Sequence, residues 1–137
     1  MSDQIKFEIE NSPELLMEYG LATQALTQLD RFLGEIILLA DKTMDRDNVI
    51  NIMTLGPKIS KLKTLQKLTS IHEQLDVLLD DRNKLAHGVI GGLAGSYSIL
   101  HRNKSADLDI TYLKDVTKRV KSVIPSVYQE VATFFPK

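Results

Sequence analysis

The sequence predicts an all-α fold: an up-and-down bundle of four or so helices, with a Gly-rich loop or small hairpin before the last helix. Three observations carry this expectation. Apolar residues recur at steps of three and four over long stretches. Helix-starting and helix-stopping residues punctuate those stretches. The composition, 43% hydrophobic and 26% charged, is that of a chain able to bury a core. With 137 residues, one domain spanning 1–137 is expected.

Residues 1–10 read as an extended lead-in without a period. Asn11-Ser12-Pro13 then reads as a helix start, Ser12 capping and Pro13 in the first turn, where a missing N–H costs nothing. Leu15, Tyr19, Ala22, Leu26, Leu29, Leu33, Ile36 and Ala40 step by four and three, predicting a helix to about Asp41. Phe32, Ile37 and Leu39 widen the stripe, so this helix is expected to pack on more than one neighbour, a second subunit included. Residues 45–48 form a polar break. Residues 49–55 read as a short helix stopped by Gly56-Pro57.

A basic helical stretch follows, with Ile59, Leu62, Leu65 and Leu68 in phase. Ser70-Ile71-His72-Glu73 fits a capping box, although one helix running through from residue 58 fits equally well. The next stripe is Ile71, Leu75, Leu78, Arg82 and Leu85, with Gly88 placed to end it in a left-handed conformation. Four glycines between residues 88 and 95, and the strand-like run Ser96-Tyr97-Ser98-Ile99-Leu100, give the loop or hairpin. Asp109 is positioned to cap a last helix carrying Leu113, Val116, Val120, Val123, Val127, Val131 and Phe134, which Pro125 should kink or divide.

Several function classes drop out. No cysteine means no disulfide, no thiolate metal site and no cysteine nucleophile. The 17 Lys and Arg nearly cancel the 18 Asp and Glu, so nucleic-acid binding driven by global charge gains no support. The basic stretches Lys58, Lys61, Lys63, Lys67 and Lys114, Lys118, Arg119, Lys121 read as solvated helix faces. No apolar run approaches the ~20 residues that span a bilayer. Met1-Ser2-Asp3-Gln4-Ile5-Lys6-Phe7 lacks the basic start and apolar core of a signal peptide. A soluble, cytoplasmic chain is expected. The glycines of residues 88–95 lack the Lys-Ser/Thr ending of a phosphate loop. His72 and His101 read as surface or structural; His72, Asp76 and Asp80 share a face but read as solvated, and no metal or cofactor is expected.

Arg82 is the anomaly. It occupies a position in the apolar stripe where Leu or Ile belongs, and burying an unpaired guanidinium is costly. His87 follows five residues later, four beyond Asn83 and on the same face, at the last turn, where the helix dipole favours its charged form. Arg with a His titrating near neutrality suits phosphodiester cleavage: one stabilises phosphate charge, the other moves a proton of a ribose 2′-hydroxyl. By spacing alone, an Arg-His-Asp network satisfying itself at a core helix end fits as well.

Asp81-Arg82-Asn83-Lys84-Leu85-Ala86-His87-Gly88 resembles the signature of the HEPN superfamily (higher eukaryotes and prokaryotes nucleotide-binding domain). That signature is Arg, a polar residue, a few more residues, then His, at the end of a long penultimate helix in an all-α domain. The match is specific over about seven residues; the architecture, with a variable loop before the final helix, extends it over most of the chain. Thr54-Leu55-Gly56 is similar to a turn seen in some members. The resemblance implies a metal-independent endoribonuclease of the toxin or anti-phage defence kind. It also implies a homodimer whose two motifs meet in one cleft, RNA as substrate, an antitoxin protein as partner and a 2′,3′-cyclic phosphate product. By this analogy Arg82 polarises the scissile phosphate, His87 is the acid or base, and Asn83 orients one of them. Lys58, Lys61, Lys84 and Arg102 are expected to bind substrate beside them. Some members have lost activity, so a catalytically silent helical module binding a nucleotide or a protein is the alternative. In the branch paired with nucleotidyltransferase antitoxins a tyrosine soon follows the His; here Gly88, Val89 and Ile90 follow.

Overall fold

The computed structural model describes residues 13–87, 89–93, 96–101 and 104–135, and side-chain surroundings for 13–86 and 108–135. Among these residues four α-helices build a bundle: α1 (Pro13–Ala40), α2 (Leu55–Thr64), α3 (His72–His87) and α4 (Ile110–Ala132). Three strands, β1 (Val89–Leu93), β2 (Ser96–His101) and β3 (Lys104–Leu108), lie between α3 and α4. The expected capping of α1 by Ser12, the lead-in before it and the stop at Gly88 fall outside the described residues.

The helical stripes are the core. On α1, Leu15, Ala22, Leu26, Leu29, Leu33, Ile36 and Ile37 are buried; on α4, Leu113, Val116, Val120, Val123 and Val127 are. These two helices form the most extensive contact of the fold. Each buried Leu, Ile or Val among them contributes about 1.5–3 kcal/mol through removal of its apolar surface from water. α2 and α3 complete the core with Leu55, Ile59, Leu62, Leu75, Leu78 and Leu85.

Three local readings change, and one open alternative is decided. Gly56-Pro57 does not stop a helix; both residues lie in the first turn of α2, where proline's missing N–H leaves no bond unmade. Ahead of it, Asn48–Ile52 is a single π-helical turn that buries Val49. Pro125 does not divide α4, which runs through it from Ile110 to Ala132. Proline removes one backbone bond there, and the buried Val120, Val123 and Val127 on both sides hold the helix against α1. The stretch from residue 58 is broken before α3: Gln66 and Leu68 take left-handed backbone (φ 57° at each), and a 3₁₀ turn, Thr69–Ile71, follows. Glu130 on α4 accepts a hydrogen bond from the Leu68 N–H at 2.8 Å, holding this corner in place.

The loop or small hairpin before the last helix is a three-stranded antiparallel meander, one strand more than a hairpin. Val89 pairs with Leu100 and Leu93 with Ser96; Tyr97 pairs with Leu108 and His101 with Lys104. Gly91 and Gly92 lie within β1, paired with Ser98 and Tyr97, rather than in a loop. β2 lies against α3, and β3 delivers Leu108 to the core and the chain to Asp109. Asp109 caps α4 as expected, its carboxylate accepting from the Tyr112 N–H at 2.7 Å. Among the described residues no helix is long and apolar enough to cross a membrane.

Candidate functional site

The step from Leu78 to Leu85 on α3 passes through two successive residues, Asp81 and Arg82, which a helix turns about 100° apart. The fold gives each a different neighbour. Asp81 faces α4 and is buried, its carboxylate accepting from the Tyr112 hydroxyl at 3.0 Å and from Arg119 Nη2 at 2.7 Å. Burial and the adjacent Asp81 charge raise the Tyr112 pKa, so this phenol stays a donor. Arg119 therefore corrects the solvated-face reading: its guanidinium closes over a buried carboxylate, and its Nε–H has no partner among the described residues. Asp81→Ala would leave the Tyr112 hydroxyl and a partly exposed guanidinium without their acceptor. A loss of about 2–3 kcal/mol in urea unfolding is expected; a cost below about 0.5 kcal/mol would show that the cluster does not hold α3 to α4.

Arg82 faces the other way. It is half-buried and lines an open groove of about 350 Å³ between α1 and α3. The α1 wall consists of Tyr19, Thr23, Leu26, Thr27 and Asp30; Leu85 and Ala86 complete the α3 side. Arg82 Nη1 donates to Asn83 Oδ1 at 3.2 Å, and no described carboxylate lies within ion-pair distance of it. The two acidic neighbours are occupied elsewhere: Asp81 by Arg119, Asp80 by Lys84 at 3.1 Å. The Tyr19 hydroxyl donates to the Leu85 carbonyl oxygen at 2.7 Å, satisfying one of the last-turn carbonyls of α3 from across the groove. Burial raises the Tyr19 pKa and keeps this donor protonated. His87 is the last residue of α3, which places it on the turn following Arg82; its side chain lies outside those described.

The lysines expected to bind substrate are engaged. Lys58 corrects its reading: it is 1% exposed, and its ammonium donates to Asp30 Oδ1 at 2.7 Å and to the Asp30 carbonyl at 3.3 Å. It lies three residues after Leu55 and four before Leu62, in the apolar stripe of α2, so its signal was the same as that of Arg82. Lys61 pairs with Asp41 at 2.9 Å, and Lys84 with Asp80. Arg102 falls outside the described residues. On the His72-Asp76-Asp80 face, Asp76 accepts from Lys63 at 2.9 Å, and the His72 Nε2 lies 2.7 Å from the Lys67 carbonyl oxygen. Among the described residues no group of three or more metal-ligating side chains assembles.

Asp41 gives a pH dependence. Its hydrogen bonds from Thr43, then from Lys61, lower its pKa to about 2. An unfolded aspartate titrates near ~3.9, so the native contacts add stability above that pH and lose it as pH falls toward 2. Asp41→Asn should therefore flatten the fall in melting temperature between about pH 4 and pH 2; parallel curves for wild type and variant would remove Asp41 from the acid response.

Among the residues that bring α1 into the site, Tyr19 sits in the apolar stripe, while Thr23, Thr27 and Asp30 run beside it at helical spacing, a pattern that carries no motif. Comparison with protein-family models, with curated proteins and with solved structures finds no match for this chain.

Proposed function

We propose that this chain is a HEPN-like, metal-independent endoribonuclease of the toxin or anti-phage defence kind, acting in the cytoplasm as a homodimer. Arg82 holds the scissile phosphate, His87 moves the proton of the attacking 2′-hydroxyl or of the leaving 5′-oxygen, and Asn83 orients Arg82. Attack by the 2′-oxygen on phosphorus breaks the bond to the 5′-oxygen, leaving a 2′,3′-cyclic phosphate and a 5′-hydroxyl. The two-fold pairing of motifs that the signature implies would place two such groups around one RNA strand.

One observation supports this reading above the others. A guanidinium in an otherwise apolar stripe points into an open groove while every carboxylate next to it in sequence is committed elsewhere. An Arg serving only the fold would be paired with Asp80 or Asp81 and closed off. A second reading, a catalytically silent module binding a nucleotide or a protein, draws on the lysines: Lys58, Lys61 and Lys84, the described ones expected to bind substrate, are all ion-paired and so less available to a polyanion.

The deciding experiment incubates the purified chain with structured and unstructured RNAs in EDTA and determines the end groups of the products. Cleavage leaving cyclic phosphate and 5′-hydroxyl ends is the expected result. Intact RNA across the panel, or cleavage that needs a divalent ion, turns the assignment to the silent module; sedimentation at the same concentrations tests the dimer.

A further inference from the structure

Among the described residues, the α1 wall of the groove beside Arg82 is polar in one sense only. Thr23 Oγ1 donates to the carbonyls of Tyr19 and Gly20 at 3.0 and 3.1 Å, and Thr27 Oγ1 donates to the Thr23 carbonyl at 2.9 Å. The Tyr19 hydroxyl proton goes to Leu85. Each of these hydroxyls has one proton, so each oxygen presents only lone pairs to the groove. Asp30 commits Oδ1 to Lys58, and its carboxylate can only accept. The α1 wall is thus a row of acceptors about 17 Å long from residue 19 to residue 30, at the 1.5 Å rise of a helix. Arg82, which can only donate, stands opposite, and Leu26, Leu85 and Ala86 supply apolar surface between them. A volume of about 350 Å³ lies in the range of small-ligand pockets.

From this arrangement we infer that the α1–α3 groove is a nucleoside subsite: it holds the nucleotide whose phosphate sits on Arg82, and its α1 wall selects bases bearing an exocyclic amino group. The inference rests on the reading of Arg82 as the phosphate-binding residue. Ribose hydroxyls and the amino groups of adenine, cytosine and guanine are donors that match an acceptor-only wall. Uracil turns two carbonyl oxygens toward that wall with one N–H between them, so acceptors meet acceptors. The exposed Ala86 is the apolar contact open to the face of the base. Discrimination comes from leaving buried polar groups unpaired in the wrong complex.

The test titrates inorganic phosphate and the four nucleoside 3′-monophosphates into the full chain, following the methyl signals of Thr23 and Thr27 and the Arg82 Nε–H by NMR. Phosphate alone should move Arg82 and leave the threonines in place. The adenosine, cytidine and guanosine monophosphates should move all three signals and bind about tenfold more tightly than the uridine compound, the size of one or two neutral hydrogen bonds. Thr27→Val, which keeps the shape and removes the acceptor, should abolish most of that preference without changing phosphate binding. Equal affinities for all four nucleotides with unmoved threonine signals would overturn the subsite while Arg82 remained a phosphate ligand. No response of Arg82 to any probe would overturn the subsite and the phosphate contact together. RNA left uncut by a protein that binds these nucleotides as described would sink the ribonuclease reading and leave the subsite standing.

Discussion

Arg82→Ala and His87→Ala should each lower RNA cleavage in EDTA by about 10²–10³-fold, the usual effect of removing a charge-stabilising donor or a proton-transfer group. Both variants should stay folded. Arg82 is half-buried at the groove, its described partner is its own neighbour Asn83, and no described carboxylate is orphaned when it is removed. Its deletion should therefore cost under about 1 kcal/mol, mostly through lost packing of its aliphatic stem. Arg82→Lys should recover only part of the rate, because a lysine keeps the charge but not the fork that grips two phosphate oxygens. The contrast with Asp81→Ala is informative. Two successive residues of one helix should show opposite profiles, position 81 losing stability and position 82 losing activity. Cleavage that survives Arg82→Ala, measured on protein with an unchanged melting temperature, would remove this residue from the site.

Asp30→Ala should destabilise the fold by about 3–5 kcal/mol, whereas Lys58→Met should cost about 1 kcal/mol or less. The asymmetry follows from exposure. The Lys58 side chain is 1% exposed and that of Asp30 is 28% exposed. Removing Asp30 leaves an ammonium in the core with the residue-30 carbonyl, at 3.3 Å, as its sole remaining described acceptor. Removing the ammonium leaves a carboxylate that water reaches. Methionine also keeps most of the lysine stem, so no large cavity opens. Gly34 makes the arrangement feasible: a Cβ there would stand 3.4 Å from Lys58 Cε and Nζ and 3.0 Å from Ile50 Cδ1. Against a total stability of about 5–15 kcal/mol for a domain, the larger loss is a sizeable fraction. Urea unfolding midpoints with unchanged slopes give the comparison; equal costs for the two variants would mean that the ammonium is not desolvated in solution.

How much of this is legible in the sequence depends on whether the signal is local. Helical stripes are, because a 3.6-residue period written into one segment dictates which face is apolar whatever that face meets. So Leu15, Ala22, Leu26, Leu29, Leu33 and Ile36 on α1, and Leu113, Val116, Val120, Val123 and Val127 on α4, are buried where the period put them. The cap at Asp109 is local too, needing only a carboxylate three residues before an N–H. Arg82 was visible as the wrong residue in a stripe. Lys58 gave the same sign, but with Lys61, Lys63 and Lys67 it reads as part of a solvated run or as a substrate ligand, not as a buried ion-pair partner.

By itself, then, the sequence determined the helical fold, the core positions on each helix, and the singularity of the Arg82-Asn83-His87 end of α3. Tertiary structure decided what the described charged residues near that end, Asp80, Asp81, Arg82 and Lys84, lie against. A helix offers Asp81 and Arg82 about 100° apart, and only the positions of α4 and α1 send one into an ion pair and the other into a groove. The same holds for Pro125, carried inside a continuous helix by packing on both sides, and for Gly56-Pro57, which lie in the first turn of α2. The physical reason is common to all of them. Periodicity is a property of one segment, whereas the worth of a charge or the tolerance of a missing N–H depends on partners up to tens of residues away, as with Asp30 and Lys58 or Asp81 and Arg119.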